Sequence, residues 1–485
     1  MARFEIPDGW TAQAYRFALD PSPAQVRAFR SHAGGARKAF NTMLALVKSV
    51  MGQRAAERTY GIAGEDLTPP LDWSLAGLRK EWNRRKDDAA PWWAANSKEA
   101  YNSGLDALAR GLEAWSKSRK GERAGAAAGF PGFKSARSRQ SVRFTTGTIR
   151  VEPDRHHVTL PRIGQVRTHE STRKLARRVG AGTARILSAT LAEDSSGRWH
   201  VAFQVIVQRS VRVPAHVAAG VPAVGVDAGV KADALLVVAA PDGREVRRVP
   251  APKSLTAAQG RLRALQRKAA RQQGPWNPGT RTRRPPSQRW RRTSKRIGRV
   301  HAHAAAVRRD ILHKETTALA QQHQVITVET LSASGMRAGG GAYKKGLNLA
   351  LADASLAEVR RMLSYKCAWY GSVLVEAGRF FPSSKNCSAC GRRKPSLRLA
   401  DRTYSCDYCG ARIDRDLNAA VNLARLGEPH LGEQGPAGSG PVAGRGATRE
   451  TEPARAGNAG GRETSTPRRQ LPGKTGTASP QGEAA

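Results

Sequence analysis

The first strong pattern along the chain is helical. Val26, Phe29, Ala33, Ala36, Phe40, Met43 and Val47 recur at alternating spacings of three and four, which places them on one face of a long helix. Its start is written in Ser22-Pro23-Ala24-Gln25: Ser22 can cap, Pro23 suits the first helical position, and Gln25 completes a capping box. More helix is predicted around Leu71 to Trp82, and again from Asn96 or Ser97 through Leu105, Leu108, Leu112 and Trp115. Beyond a Gly/Ala-rich break at Arg123 to Gly132 the period falls to two. Val142-Arg143-Phe144, Ile149-Arg150-Val151 and His157-Val158-Thr159-Leu160 read as short strands. Ala184 to Ala192 and Trp199 to Val207 form a hairpin about Asp194-Ser195-Ser196-Gly197. A small β-barrel or curled sheet is expected, with the helical block inserted after a first strand near Ala14 to Leu19.

The second half opens differently. After a Pro-bearing linker, Val213 to Pro222, the run Val224-Gly225-Val226-Asp227-Ala228-Gly229 is a buried apolar strand ending in a carboxylate and a glycine turn. A strand at Ala234 to Ala240 then turns at Pro241-Asp242-Gly243 into Glu245 to Val249, which is how an RNase H-like core begins. Val325-Ile326-Thr327-Val328-Glu329 repeats the scheme, and Gly339-Gly340-Gly341 beyond it suits a flexible lid. A helix from about Ser355 to Tyr370 and a strand Val373 to Glu376 lead to the cysteines. From residue 429 the chain is Gly, Pro, Ala, Ser and Thr, too poor in apolar residues to bury a core, and is expected to be disordered. No internal repeat is apparent.

Charge changes the picture. The chain has 485 residues, enough for several domains, with a net charge of +42 and a pI of about 11.3. Such an excess calls for a polyanionic partner, because each phosphate neutralised releases condensed counterions. No run is apolar enough for a membrane span and no signal peptide is present, so nucleic acid is favoured over a membrane. Between Arg261 and Arg299 there are fourteen Arg or Lys and not one Asp or Glu. Unopposed positive charge on two predicted helices marks a phosphate-binding face, with Arg261, Arg263, Arg267, Lys268, Arg271, Arg289, Arg291, Arg292, Lys295 and Arg296 as candidates. Trp73, Trp82, Trp92 and Trp93 could stack on bases, although tryptophan at helical spacing is more often core.

The chemistry sits near the end. Cys387, Cys390, Cys406 and Cys409 form two Cys-x-x-Cys pairs, each followed by a glycine, Gly391 or Gly410. Two such knuckles complete a closed tetrahedral four-sulfur site, which makes a structural zinc. The remaining Cys367 reads as a small buried hydrophobe, and the usage fits a reducing compartment. Taken singly, Asp227 could be a turn residue, Glu329 a solvated strand end and Asp416 a helix cap. Together they could surround two divalent cations about 4 Å apart. Asp414, Asp233 and Asp242 are the decoys.

Pro382-Ser383-Ser384-Lys385-x-Cys387-x-x-Cys390-Gly391, then Cys406-x-x-Cys409-Gly410 and Asp414-Arg415-Asp416-x-Asn418-Ala419-Ala420-x-Asn422, closely resembles the TnpB (OrfB) family of bacterial insertion sequences, relatives of type V CRISPR effectors. The likeness includes Gly225-Val226-Asp227-x-Gly229-x-Lys231, Val328-Glu329-x-Leu331, Phe130-Pro131-x-Phe133-Lys134, and Pro21-Ser22-Pro23-x-Gln25 with Arg37 and Asn41. It departs at Thr330, where an Asp often follows the Glu.

The resemblance implies a multidomain α/β protein. An RNase H-like (RuvC) nuclease core would carry an inserted zinc ribbon, and an N-terminal wedge β-barrel would carry a helical recognition insert. The implied boundaries are a first wedge strand in 1–20, the helical insert in 21–125, the wedge barrel in 126–212, the nuclease core in 213–382, the ribbon in 383–412, a final nuclease helix in 413–428 and a tail in 429–485. The implied activity is RNA-guided DNA endonuclease, a Mg-dependent hydrolase whose triad maps onto Asp227, Glu329 and Asp416 holding two Mg2+, with zinc on the four cysteines. Its partners would be a guide RNA from the transposon end and a double-stranded DNA target, in a cytoplasmic, nucleoid-associated setting; the oligomeric state is left open. The alternatives are a nuclease-dead, guide-dependent repressor and a transposase acting in DNA recombination.

Overall fold

The computed structural model describes residues 5–136, 138–209, 221–279, 282–283, 286–338, 344–398 and 400–432. Most of the predicted linker, the predicted glycine lid and the predicted tail from 433 lie outside these residues.

The chain opens with β1 (Trp10–Asp20), the middle strand of a seven-stranded antiparallel sheet. Three helices follow before the sheet resumes: α1 (Pro23–Thr59), α2 (Leu75–Ala89) and α3 (Lys98–Arg119). The sheet is then completed by β2 (Ser141–Phe144), β3 (Arg150–Val151), β4 (His157–Leu160) and β5 (Gly164–Thr168). A short helix α4 (Arg173–Gly180) precedes the long hairpin β6 (Ala184–Glu193) and β7 (Trp199–Gln208). Its order is β2-β6-β7-β1-β5-β4-β3. The strands alternate as predicted: Tyr15, Phe17 and Leu19 of β1 and Val201, Phe203, Val205 and Val207 of β7 all enter one core.

The α1 cap forms as the sequence predicts. Ser22 N–H donates to Gln25 Oε1 (2.9 Å) and Gln25 N–H donates to Ser22 Oγ (3.2 Å). Phe29, Ala33, Ala36, Phe40, Met43 and Val47 are all buried. Asn41 exchanges two hydrogen bonds with the backbone of Lys134, which ties the Phe130 to Lys134 segment onto α1. The second helix starts later than its apolar residues imply, because Asp72 and the cap Ser74 hold residues before Leu75 out of the helix.

The second half builds a mixed five-stranded sheet, order β10-β9-β8-β13-β14. Its first three strands are β8 (Ala223–Ala228), β9 (Leu236–Ala239) and β10 (Glu245–Val249). Next come α5 (Ser254–Ala257), α6 (Gln259–Arg271), a small hairpin β11 (Trp276–Asn277) and β12 (Thr282–Arg283), and the 35-residue helix α7 (Gln288–Gln322). Then follow β13 (Val325–Glu329), α8 (Ala333–Arg337), α9 (Lys345–Ala354), α10 (Leu356–Tyr370) and β14 (Val373–Ala377). A second small hairpin, β15 (Thr403–Ser405) and β16 (Arg412–Asp414), runs directly into the helix α11 (Arg415–Gly427). Strands β8, β13 and β14 are parallel, and β9 and β10 continue as antiparallel strands.

Both faces of this sheet are covered, which is why β8, β9 and β13 read as continuous apolar runs. Leu312 and Leu319 of α7 and Val359, Met362 and Leu363 of α10 pack on one side. Ala420 and Val421 of α11 pack on the other, against Val237 and Ala239. The α11 contact is unusually close. A Cβ at Gly225 would lie 2.0 Å from Ala420 O and 2.3 Å from Ala424 N, so only glycine lets helix and strand backbones meet there.

Lys366 is buried between α10 and α7 without a carboxylate partner among the described residues. It donates to His313 O (2.7 Å), Thr316 Oγ1 (2.7 Å) and Thr317 Oγ1 (2.8 Å). Burial, with a smaller contribution from Arg361, pulls its ammonium down to about 8 from the usual 10.5.

Gly225→Ala is expected to lower the thermal midpoint and destabilise the protein by at least about 1–3 kcal/mol, since it overpacks a backbone contact that cannot shift locally; an unchanged midpoint would show that α11 does not sit this close. For Lys366, the folded state sheds a proton that the unfolded chain keeps between about pH 8 and 10.5. Stability should therefore rise with pH across that window, and fall again toward pH 8. Lys366→Met should flatten this dependence, which a denaturation series at constant salt would reveal.

Candidate active site and metal centre

Strands β8 and β13 are parallel neighbours, with Val226 registered against Val328. Asp227 and Glu329 each follow one step later, so their carboxylates leave the same end of the sheet. The third carboxylate arrives from above. With α11 seated on Gly225, its first turn carries Asp416 to that strand end. The meeting shows in Asp227: burial raises its carboxyl well above the usual carboxylate value, and Glu329 and then Asp416 raise it further. Three acids far apart in sequence thus share one electrostatic site.

Each has a defined neighbour. Ser383, itself buried, donates its hydroxyl to Glu329 Oε1. Lys231 forms an ion pair with Asp416 Oδ2, an oxygen that is buried and accepts no hydrogen bond of regular geometry. Among the described residues, the three carboxylates do not draw within 4.8 Å of one another as a single group, whereas the four cysteines do. The hard oxygen donors suit a divalent cation.

The decoy acids are accounted for. Asp414 is the cap of α11, its Oδ1 accepting the N–H groups of Asp416 (3.0 Å) and Leu417 (2.9 Å). Asp242 accepts the Arg244 N–H in its hairpin turn, and Asp233 is exposed. Thr330, the departure from the resembled motif, donates to Ala377 O (2.9 Å) and ties β13 to β14.

The four cysteines form a candidate metal centre. Cys387 Sγ lies 3.7 Å from Cys409 Sγ, and Cys390 Sγ lies 3.6 Å from Cys406 Sγ. Sulfurs about 2.3 Å from a tetrahedral ion would be roughly 3.8 Å apart, so the set needs almost no adjustment. The knuckles match: Gly391 N–H donates to Cys387 O and Gly410 N–H to Cys406 O, and both glycines adopt positive φ, 75° and 72°. Backbone N–H groups of Cys409 and Tyr408 pull the Cys406 thiol down, while hydrogen bonds with Cys390, Cys406 and Cys387 push Cys409 up, so the four sulfurs share their protons as one cluster.

The two centres are joined by residues whose roles the sequence reading did not assign. Asn418 Oδ1 accepts the Ser388 N–H (2.8 Å), and its amide donates to Asn386 O (2.7 Å). Asn422, one turn on, donates to both Ser383 O and Asn386 O (2.8 Å each). Arg425 donates to Ser388 O and, at 2.9 Å, to Pro241 O. These side chains fasten the first knuckle to α11. Their signal in the sequence is a pair of amides at i and i+4 on an otherwise apolar helix.

On α6 and α7, Arg261, Arg263, Arg267, Lys268, Arg271, Arg289, Arg291, Arg292, Lys295 and Arg296 are all exposed. Among the described residues, only Lys295 of this set approaches a carboxylate, Glu193 at 4.0 Å. Of the tryptophans, Trp82 is core, stacked on Tyr101, and Trp73 packs against Trp115. Trp93 lies under the Lys86 ammonium, and Trp92 is half exposed. Cys367 is buried, as expected.

Three family profiles match the chain: a "Helix-turn-helix domain" over residues 11–54, a "Probable transposase" over 204–338 and a "Cas12f1-like, TNB domain" over 357–423. The first name does not describe the geometry, since residues 11–54 are a strand followed by one continuous helix. A Mycobacterium tuberculosis protein named "Putative RNA-guided DNA endonuclease" is 41% identical over 476 residues, spanning 96% of this chain and 95% of its own. The Escherichia coli "Putative RNA-guided DNA endonuclease InsQ" is 27% identical, over 86% of this chain and 93% of its own. The chain of a Cas12f1–sgRNA–target DNA complex superposes with a TM-score of 0.44 at 12% identity, over 86% of this chain and 99% of its own. With 41% identity to the mycobacterial relative running almost end to end, and the four-cysteine knuckles in place, the chain belongs to the TnpB (OrfB) family.

Proposed function

We propose that this protein is a transposon-associated, RNA-guided DNA endonuclease that hydrolyses phosphodiester bonds at Asp227, Glu329 and Asp416. The observation that carries the reading is the convergence of these three carboxylates from two parallel strand ends and one helix start, felt by Asp227 as a raised proton affinity. Near full-length similarity to relatives named as RNA-guided DNA endonucleases supports it. In this reading the five-stranded sheet is the RNase H-like (RuvC) core, the seven-stranded sheet the wedge and α1 to α3 the recognition insert. The cysteine centre is a ribbon holding structural zinc.

The carboxylates would hold two Mg2+, which when bound supply an activated water and charge stabilisation for the departing oxygen. The chain's own residues do the rest. Ser383 orients Glu329, α11 fixes Asp416, and the exposed cations of α6 and α7 hold phosphate backbones by charge. Sequence would be read by pairing between guide RNA and target DNA, not by these side chains. The transposase reading has the name of one family profile behind it, but it gives no role to a metal ribbon clamped onto the carboxylate helix.

Sequencing the RNA that co-purifies with the protein tests the guide directly: a discrete species is expected, and fully active RNA-free protein would overturn it. Asp227→Ala, Glu329→Ala and Asp416→Ala should each reduce cleavage by more than the roughly 100-fold typical of losing an outer partner, with RNA still bound. Cutting retained in any one removes that residue from the site. Cys387→Ser should cost the protein its zinc and lower its thermal midpoint, because ion binding at a closed site contributes folding energy; undiminished zinc by elemental analysis would contradict that assignment.

A further inference from the structure

Four residues beyond Asp227, Lys231 reaches back to the site. Its ammonium pairs with Asp416 Oδ2, and the two side chains are only 17% and 13% exposed. Solvent therefore screens this pair far less than it does a surface bridge. The turn that carries it is tight: Gly229 N–H donates to Leu235 O (3.0 Å), and a Cβ at Gly229 would lie 2.9 Å from Ala234 O. Lys231 is thereby folded over the carboxylates.

Asp416 is not the cap of its own helix. Asp414 caps α11, and Asp414 also takes the nearby Arg248, at 3.4 Å. What remains for Asp416 Oδ2 is a cation, and it accepts no regular hydrogen bond instead. Three carboxylates gathered at one half-buried strand end repel one another unless positive charge is among them. Arg415 and Lys231 supply that charge from within the chain, and of the two it is Lys231 that pairs directly with Asp416.

We propose that Lys231 is a resident counter-cation of this site: it holds the carboxylates together in the metal-free protein, is displaced from Asp416 when a divalent cation enters, and so weakens the site's affinity for that cation. The inference rests on the reading of the site as a metal-dependent nuclease centre. Thermodynamic linkage makes the effect reciprocal, since whatever affinity the ammonium costs the metal, the metal costs the ion pair.

The test is a Mn2+ titration of the full-length protein, with free Mn2+ followed by electron paramagnetic resonance. Asp416→Asn sets the baseline for binding elsewhere. Lys231→Met is expected to bind Mn2+ roughly tenfold more tightly than the parent, within the range usual for coupled sites. It should also unfold at a lower temperature in EDTA, and recover the parent midpoint with Mn2+. Lys231→Arg keeps the charge and should stay nearer the parent affinity. Lys231→Gln gives the same comparison should the methionine variant fail to fold. Equal or weaker binding in both neutral variants overturns this inference alone. A parent protein that binds no more Mn2+ than Asp416→Asn overturns the metal-nuclease reading, and this inference with it.

Discussion

The carboxylate site depends on how closely one helix can lie on one strand. At Gly225 the backbone of β8 touches the backbone of α11, and the facing residues, Ala420 and Ala424, are the smallest that still favour a helix. A second close contact sets the far end, where a Cβ at Gly427 would fall 2.3 Å from Thr327 Oγ1 on β13. Pinned on two neighbouring strands, α11 has little freedom to slide or tilt. Its first turn, and Asp416 with it, is therefore placed by regular elements, which hold functional geometry more tightly than loops do.

That placement creates an electrostatic problem that the same elements moderate. Burial and two like charges raise the proton affinity of Asp227. The N-terminal end of α11 offers partial positive charge near Asp416, and the Ser383 hydroxyl gives Glu329 a donor. The large cationic surplus of the chain is kept elsewhere: the candidates on α6 and α7 face solvent, with one distant acidic contact among the described residues. In the proposed reading, acid at the strand ends and base on the helix pair would serve different parts of one polyanion, the scissile bond and the flanking backbone.

Much of this was legible in the sequence, for identifiable reasons. The capping box at Ser22 and the three-and-four spacing behind it fix α1 locally, with no help from tertiary structure. The cysteine knuckles are equally local, since spacing and glycines alone define each turn. The helix α9 was missed, although Leu351 and Ala354 join the core, because a short apolar stretch beside a glycine-rich segment carries no clear period. Strand β5 was missed because its exposed residues dilute the alternation. Asn418 and Asn422 were visible as motif letters only. Their function is to satisfy the backbone of residues 383–388, far away in sequence, and no periodicity reports such a partner.

Those two asparagines change what the cysteine centre does for the protein. The segment from Ser383 to Ser388 touches Glu329 at one end, enters the cysteine cluster at Cys387, and is gripped along its length by Asn418, Asn422 and Arg425. If the knuckle opened, the two buried amides of Asn418 and Asn422 would lose acceptors, each at a cost of about 1–3 kcal/mol. The Ser383 hydroxyl would be free to leave Glu329. An ion that closed the knuckle would therefore stabilise more than its own small hairpins. It would hold the strand-end carboxylate and the helix-start carboxylate in one frame, a physical reason for the ribbon to stand in the chain between β14 and α11.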